Sequence, residues 1–465
     1  MIAGAESPTR QFAKFSAALR YEHLGPEERH ACARHLVDTA GACVAGATSN
    51  VSIIAAGLAR EIGGSGDIPV PGRRDMHDRL MAAWLCGAAA HGLEVDDGYR
   101  AGSVHPGCVV VPALLTASAG SEADGRRLMA ALAVGYEVST RLAEAIHPAS
   151  RDRGFHNTSI VGVFAAACAV GSLRGQDAAT IEQAMGIAAS SAAGLFAFLE
   201  GGGEIKRLHA GFAAREGLLA AMLAGRGMTG PNGVLEVADG FFQAFAGLPV
   251  PEALGEGLWP RSAGTALNIT RCYIKPYACC RHIHPAIDAV LDVMATESVE
   301  ADVIAEIRSG TYAIAAKHAR GGWGDMASAQ LSYQFCVATA MRHGKVTIEA
   351  FGAPARSDRQ TNAYCELVKV SVDEGCQATY PSLRSARVTV VLKDGRSFER
   401  FIDEPSGSAR HPLSDQSVVS KFVELASPIL GEEPSRAAAE TLLGAHLATR
   451  AGDLVSCLLP SAAHE

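Results

Sequence analysis

Apolar residues recur every three to four positions through most of the first 250 residues, and that spacing predicts a helical body. From about Ser7 to Val250 the repeats fall into segments at 79–93, 126–146, 159–173, 178–198 and 209–224, separated by Gly or Pro breaks. A further helix opens at Pro26-Glu-Glu, with proline in its first turn and two acids at the positive end of the helix dipole. It runs through Ala31, Leu36, Val37 and Ala40 to near Gly46.

The pattern changes after Gly264. Short β-branched or alternating runs at 272–275, 307–314, 367–372 and 387–392 predict strands, and Lys393-Asp-Gly-Arg396 supplies a hairpin turn. Helical spacing at 284–297 and 327–343 lies between them, and it returns at 414–425 and 435–448 after Glu404-Pro-Ser-Gly407. The fold class this predicts is mainly α with an α+β second domain. A discontinuous all-helical domain (1–264 and 405–465) is interrupted by a smaller inserted α/β lid domain (265–404).

A chain of 465 residues is too long for one ordinary core, which agrees with two or three structural units. Aromatic residues are 6% while glycines number 49, and small side chains let helices approach closely. A net charge of −8 without a Lys/Arg run leaves no patch for nucleic acid or a membrane surface. No stretch reaches the roughly eighteen continuous apolar residues of a membrane span; positions 79–93 come nearest. The first eleven residues include Glu6 and lack the apolar run of a secretory signal, so a cytoplasmic protein is expected. The 12 cysteines show no Cys-x-x-Cys spacing and read as reduced, mostly buried thiols. Neither a metal nor a cofactor is expected.

The densest candidate chemistry is His91-Gly-Leu-Glu94-Val-Asp96-Asp97, followed by Ser103-Val-His105-Pro106. A core helix has no packing use for three acids together, because burying unpaired charge is costly. A helix that stops and turns toward a polar cavity does use them. A capped helix end with surface acids is the plainer alternative. In Arg153-Gly-Phe-His156-Asn-Thr-Ser159, one of Asn157, Thr158 and Ser159 is expected to cap the following helix. His156 then sits before a helix N-terminus, where the dipole lowers an imidazole's pKa and suits it as a base. A structural, hydrogen-bonding histidine would look the same.

Gly201-Gly-Gly-Glu204-Ile-Lys206-Arg-Leu-His209 permits close approach of a ligand to backbone but lacks P-loop spacing; a surface loop is the alternative. Lys275-Pro-Tyr-Ala-Cys-Cys280-Arg281-His282-Ile-His284 places Lys275 and Arg281 at a strand-to-helix junction as a carboxylate clamp, with Arg offering a bidentate fork. Ser328 and Gln330 are candidates for substrate contact, against a default of helix packing.

Taken together these motifs resemble the MmgE/PrpD family. The stretch Ala90-His91 through Asp97 is similar to its run into His-x-x-Asp-Phe-Asp-Asp, and His105-Pro106 to its His-Pro. Gly154-Phe-His156-Asn-Thr-Ser, Lys206 with His209, Lys275-Pro-Tyr-Ala-Cys-Cys-Arg281, Asp403-Glu-Pro-Ser-Gly407, Pro412-Leu413 and Lys421-Phe422 also follow its pattern in order. The resemblance implies a helical and a smaller α/β domain, usually as a homodimer. It also implies metal-independent chemistry on small di- or tricarboxylates: dehydration first, with epimerisation or decarboxylation as alternatives, or a non-catalytic binding member. It implies catalytic roles for His156, Glu94, His105, Lys206 and Lys275, and substrate contacts from Asp97, His209, Arg281, His282 and Cys280. Two departures stand out. Glu94 replaces the family's first Asp, and Gly98 replaces a residue that is often Thr, removing a hydroxyl.

Overall fold

A computed structural model describes residues 6–63, 66–198, 203–251, 253–261, 264–319 and 321–461. The chain divides into two compact units, Met1–Tyr273 with Ser414–Glu465, and Ile274–Leu413. Both boundaries fall later than the expected 264/265 and 404/405. At the first, the turn Asn268–Arg271 belongs to the helical unit, because Asn268 N–H donates to buried Glu137 (2.7 Å) and Tyr273 exchanges backbone hydrogen bonds with Gly98. At the second, Ile274 N–H donates to Gly407 O (3.0 Å), which holds the 405–407 turn in the sheet-bearing unit.

The helical unit is mainly α. Its central helix, Asn157–Arg174, is buried on every side except at Arg174 and packs on Gly125–Ile146, Gly107–Ser118 and Ile205–Ala224. It is also long and apolar enough to cross a membrane, a property the sequence reading placed nearest at 79–93; 94% of it is buried within the protein, as in a core helix. Helix starts carry side-chain caps from Ser49, Asp78, Asp124 and Asp177, each satisfying an otherwise orphaned N–H. The helices Arg79–Ala90 and Ile205–Ala224 cross at Gly87 and Gly211, where a Cβ on Gly87 would lie 2.7 Å from the Gly211 Cα. Only glycine permits that approach.

Several elements differ from expectation. The 79–93 helix ends at Ala90, and the 178–198 helix ends at Ala189. The 209–224 helix begins a turn earlier, at Ile205, which puts Lys206 on the helix rather than on a loop. Gly201 and Gly202 of the triple glycine lie outside the described residues. Residues 272–275 form no strand; Tyr273 makes only an isolated bridge.

In the sheet-bearing unit the strand order is Val368–Val372, Ile304–Thr311, Ala386–Leu392, Ser397–Ile402. The first pair is parallel and the others antiparallel. Ala386–Leu392 alternates buried and half-buried positions, and Gly395 (φ 90°) closes the hairpin foreseen at 393–396. Helix His284–Thr296 packs on Ala386–Leu392 and Ser397–Ile402. The expected 327–343 helix is two, Met326–Gln330 and Tyr333–His343, because Ser332 caps the second.

Candidate active site

In the helical unit, four imidazoles, each beside or on a different helix, meet. His91 follows the end of Arg79–Ala90, His105 precedes Gly107–Ser118, His156 is the N-cap residue of Asn157–Arg174, and His209 lies on Ile205–Ala224. The His91 and His105 ring centroids are 5.2 Å apart, His91 and His156 6.0 Å, and His156 and His209 5.2 Å. The Gly87–Gly211 crossing fixes two of the contributing helices against each other within a turn or so of His91 and His209.

Asp96, fully buried, binds this cluster. Its Oδ2 meets His91 Nδ1 at 2.7 Å and His105 Nδ1 at 3.3 Å. His105 Nδ1 also lies 2.6 Å from Asp97 O. A carbonyl oxygen only accepts, so His105 Nδ1 carries the proton and its Nε2 is the atom that takes up and passes on another. Ligand atoms of His91, Asp96 and His105 lie within 4.8 Å of one another, a donor set of a kind that holds metal ions. The protonated Nδ1 of His105 and the hydrogen bonds to Asp96 also form an imidazole–carboxylate relay.

Glu94 adopts φ 59°, uncommon for a residue with a Cβ, and its carboxylate is ion-paired with Lys206. His156 Nδ1 and His209 Nδ1 are 3.0 Å apart, so one donates and the other accepts. Burial, with help from His91, His209, Lys206 and His105, holds His156 well below the usual imidazole range. His209 is pushed down to about 4 by burial, His91 and Lys206. The lowering expected for His156 from a helix dipole is therefore mainly desolvation. Phe196 and Phe198 wall His156 at ring distances of 5.0 and 5.6 Å.

Asn157, Thr158 and Ser159 do not cap the helix as expected. Asn157 bonds Ser150 and Gly102 O, Thr158 accepts from His105 N–H, and Ser159 donates to His209 O, so all three hold neighbouring segments in place.

Asp97, expected to contact substrate, is an internal anchor. It is fully buried and accepts from Tyr136 (2.6 Å) and Gly107 N–H (3.0 Å), with His35 Nδ1 at 2.7 Å. Lys421, on helix Asp415–Leu430, ties the same segment down through Asp38 and Val95 O. The hydroxyl thought lost at Gly98 has a counterpart: Tyr273 OH lies 2.3 Å from where a Gly98 Cβ would stand. His91 and Asp96 belong to the segment singled out in the sequence, but no catalytic or substrate-binding role was expected of either. Their signal was the His91-x4-Asp96 spacing across a helix end.

In the sheet-bearing unit Lys275 is buried at 1% exposure. Arg281 is no free clamp: its guanidinium donates to Ser406 O (2.7 Å), Pro405 O (3.1 Å) and His284 Nδ1 (2.9 Å). That fork closes the 405–407 turn. His282 bonds Tyr312 OH at 2.6 Å, and burial followed by Arg384 and His318 keeps it well below the usual range. Cys280 Sγ lies 3.6 Å from His318 Nε2. Ser328 completes a capping box with Asp325, and Gln330 donates to Ala278 O, both packing roles.

Comparison with known proteins gives one consistent answer. The profile of the MmgE/PrpD N-terminal domain matches residues 10–253, and that of the MmgE/PrpD C-terminal domain matches residues 277–445. A cis-aconitate decarboxylase of Aspergillus terreus is 26% identical over 403 residues, covering 82% of this chain and 81% of the relative. The cis-aconitate decarboxylase of Homo sapiens is 25% identical over 448 residues, covering 91% and 89%.

Proposed function

Because this chain belongs to the MmgE/PrpD family, we propose that it is a lyase that decarboxylates an unsaturated tricarboxylate of the cis-aconitate class. One observation carries the reading: a neutral His156–His209 pair, walled by Phe196 and Phe198, stands beside Lys206 and the His105–Asp96 relay. A departing carboxylate loses its charge as CO2 forms, and an apolar wall favours that change. Lys206 supplies positive charge for a carboxylate that stays.

In the reaction, the bond to one carboxyl carbon breaks and its electron pair forms a new double bond. The original π pair moves to the neighbouring carbon, which takes a proton. His105 delivers that proton, because Asp96 stabilises its imidazolium form and Asp97 O fixes its orientation. His156 hydrogen-bonds the departing group without adding charge, and it passes protons with His209.

Dehydration of a hydroxy tricarboxylate is the second reading, favoured by the same His105–Asp96 pair, which also suits protonation of a leaving hydroxyl. Glu94 is less available for that step, since its carboxyl group is engaged by Lys206. Proton NMR in deuterated water with cis-aconitate and with citrate-like hydroxy acids separates them. Terminal methylene signals with CO2 release and one deuterium in the product are expected from cis-aconitate. Vinylic product from a hydroxy acid without CO2 would replace decarboxylation by dehydration. Deuterium exchange without net conversion would replace it by an epimerase.

A further inference from the structure

The proposed reaction makes no use of the pairing of Cys280 with His318. Cys280 and Cys457 are the half-exposed members of the 12 cysteines, the others being buried. Cys280 Sγ stands 3.6 Å from His318 Nε2, and His318 Nδ1 stands 3.1 Å from Leu331 O. Since Leu331 O can only accept, Nδ1 bears the ring proton, and in the neutral ring Nε2 presents its lone pair to the thiol. Both partners are pinned from the same turn. Cys280 N–H donates to Gln330 O at 3.0 Å, next to the carbonyl that orients His318, and Tyr333 N–H donates to His318 O at 2.9 Å. The helix Met326–Gln330 thus ends by aligning a nucleophile, a base and the group that sets the base's tautomer. Such an order has no packing use for a cysteine, whose burial alone would satisfy a structural role.

We propose that Cys280 and His318 form a nucleophilic thiol site that adds to carbon–carbon double bonds conjugated to a carbonyl group. The thiol proton moves to His318 Nε2 and the sulfur attacks the β-carbon. An S–C bond forms as the π bond breaks, and its electron pair is held on the α-carbon as an enolate. That carbon then takes the proton back from His318. The net change is addition of S–H across the double bond, with nothing oxidised or reduced. The inference does not depend on which reaction the imidazole cluster performs.

N-ethylmaleimide is the probe, and Cys457 is an internal control, because burial pushes that thiol up to about 11. Labelling of the full-length protein is followed by peptide mass spectrometry over time and pH. Groups around the pair are His282, whose ring stacks on His318 at 5.7 Å, Tyr312 and Cys336 near Cys280, and, one layer out, Arg384 near His282 and Tyr312. Cys280 is expected to label at least about tenfold faster than Cys457 at neutral pH, and its rate should level off there. An ordinary thiol instead gains roughly tenfold per pH unit until its own pKa. His318→Gln should slow Cys280 about tenfold or more and restore the steep pH dependence, while leaving Cys457 unchanged. Labelling of Cys280 that is no faster than Cys457, or that rises steeply to pH 8.5 in the unaltered protein, overturns the proposal even if the variant fails to fold.

Discussion

The His156–His209 contact limits how protons are distributed between the two rings. With Nδ1 atoms 3.0 Å apart, one nitrogen is protonated and the other is not. Both rings stay uncharged at neutral pH, since His156 is held well below its usual range and His209 sits at about 4. His156 can therefore hydrogen-bond a departing carboxylate and exchange a proton without placing a cation against the developing CO2. His156→Gln keeps a hydrogen-bonding group in place but removes the ability to carry a proton. Turnover should fall by about a hundredfold to ten-thousandfold with KM little altered, measured as initial rates on the acid that the NMR experiment identifies. A variant with unaltered kcat would take His156 out of the proton path.

Among the elements, the crossing of Arg79–Ala90 with Ile205–Ala224 carries the geometry. A Cβ on Gly211 would meet Trp84 O at 2.3 Å, a backbone atom that cannot move aside cheaply. Gly211→Val should cost about 1–3 kcal/mol, seen as a lower urea midpoint, and should lower kcat as well, because Lys206 and His209 shift with their helix. Full stability with full activity would mean that the crossing does not position the site. This contact also marks where sequence reading stops. The core helices were legible because 3.6-residue periodicity is imprinted on each one locally, and the sheet hairpin because Asp394-Gly395 suits a turn with positive φ. That Gly87 faces Gly211 depends on two helices more than a hundred residues apart in sequence. Residue chemistry was legible in the same partial way. The density of acids and imidazoles at 91–105 pointed to acid/base work, and His156 and Lys206 fall in the same cluster. Side-chain direction was not visible: Asp97 turns to Tyr136 and His35, and Arg281 closes the 405–407 turn, although by residue type both look like ligand contacts.

For the whole molecule, the buried imidazoles make acid sensitivity a consequence of building the cluster. A histidine whose pKa is lower folded than unfolded leaves the unfolded chain holding more protons as pH falls. Its stabilising effect is fully present above the unfolded value of about 6.5 and is lost as pH drops toward the folded value, about 4 for His209. Carboxylates with lowered values, such as Glu28 beside Arg261 and Asp415 beside His30 and Arg34, have the same sign but act in a more acidic window, below the ordinary carboxylate range. A fall in thermal midpoint between neutral pH and about pH 5 is therefore assigned to imidazoles rather than acids. His209→Gln removes one titrating ring while keeping a polar side chain against His156. Its thermal midpoint should fall less than that of the unaltered protein over this interval, and the two should run parallel above about pH 7. Equal falls would show that His209 is not held neutral by its surroundings, and the uncharged pair on which the proposed decarboxylation rests would go with it.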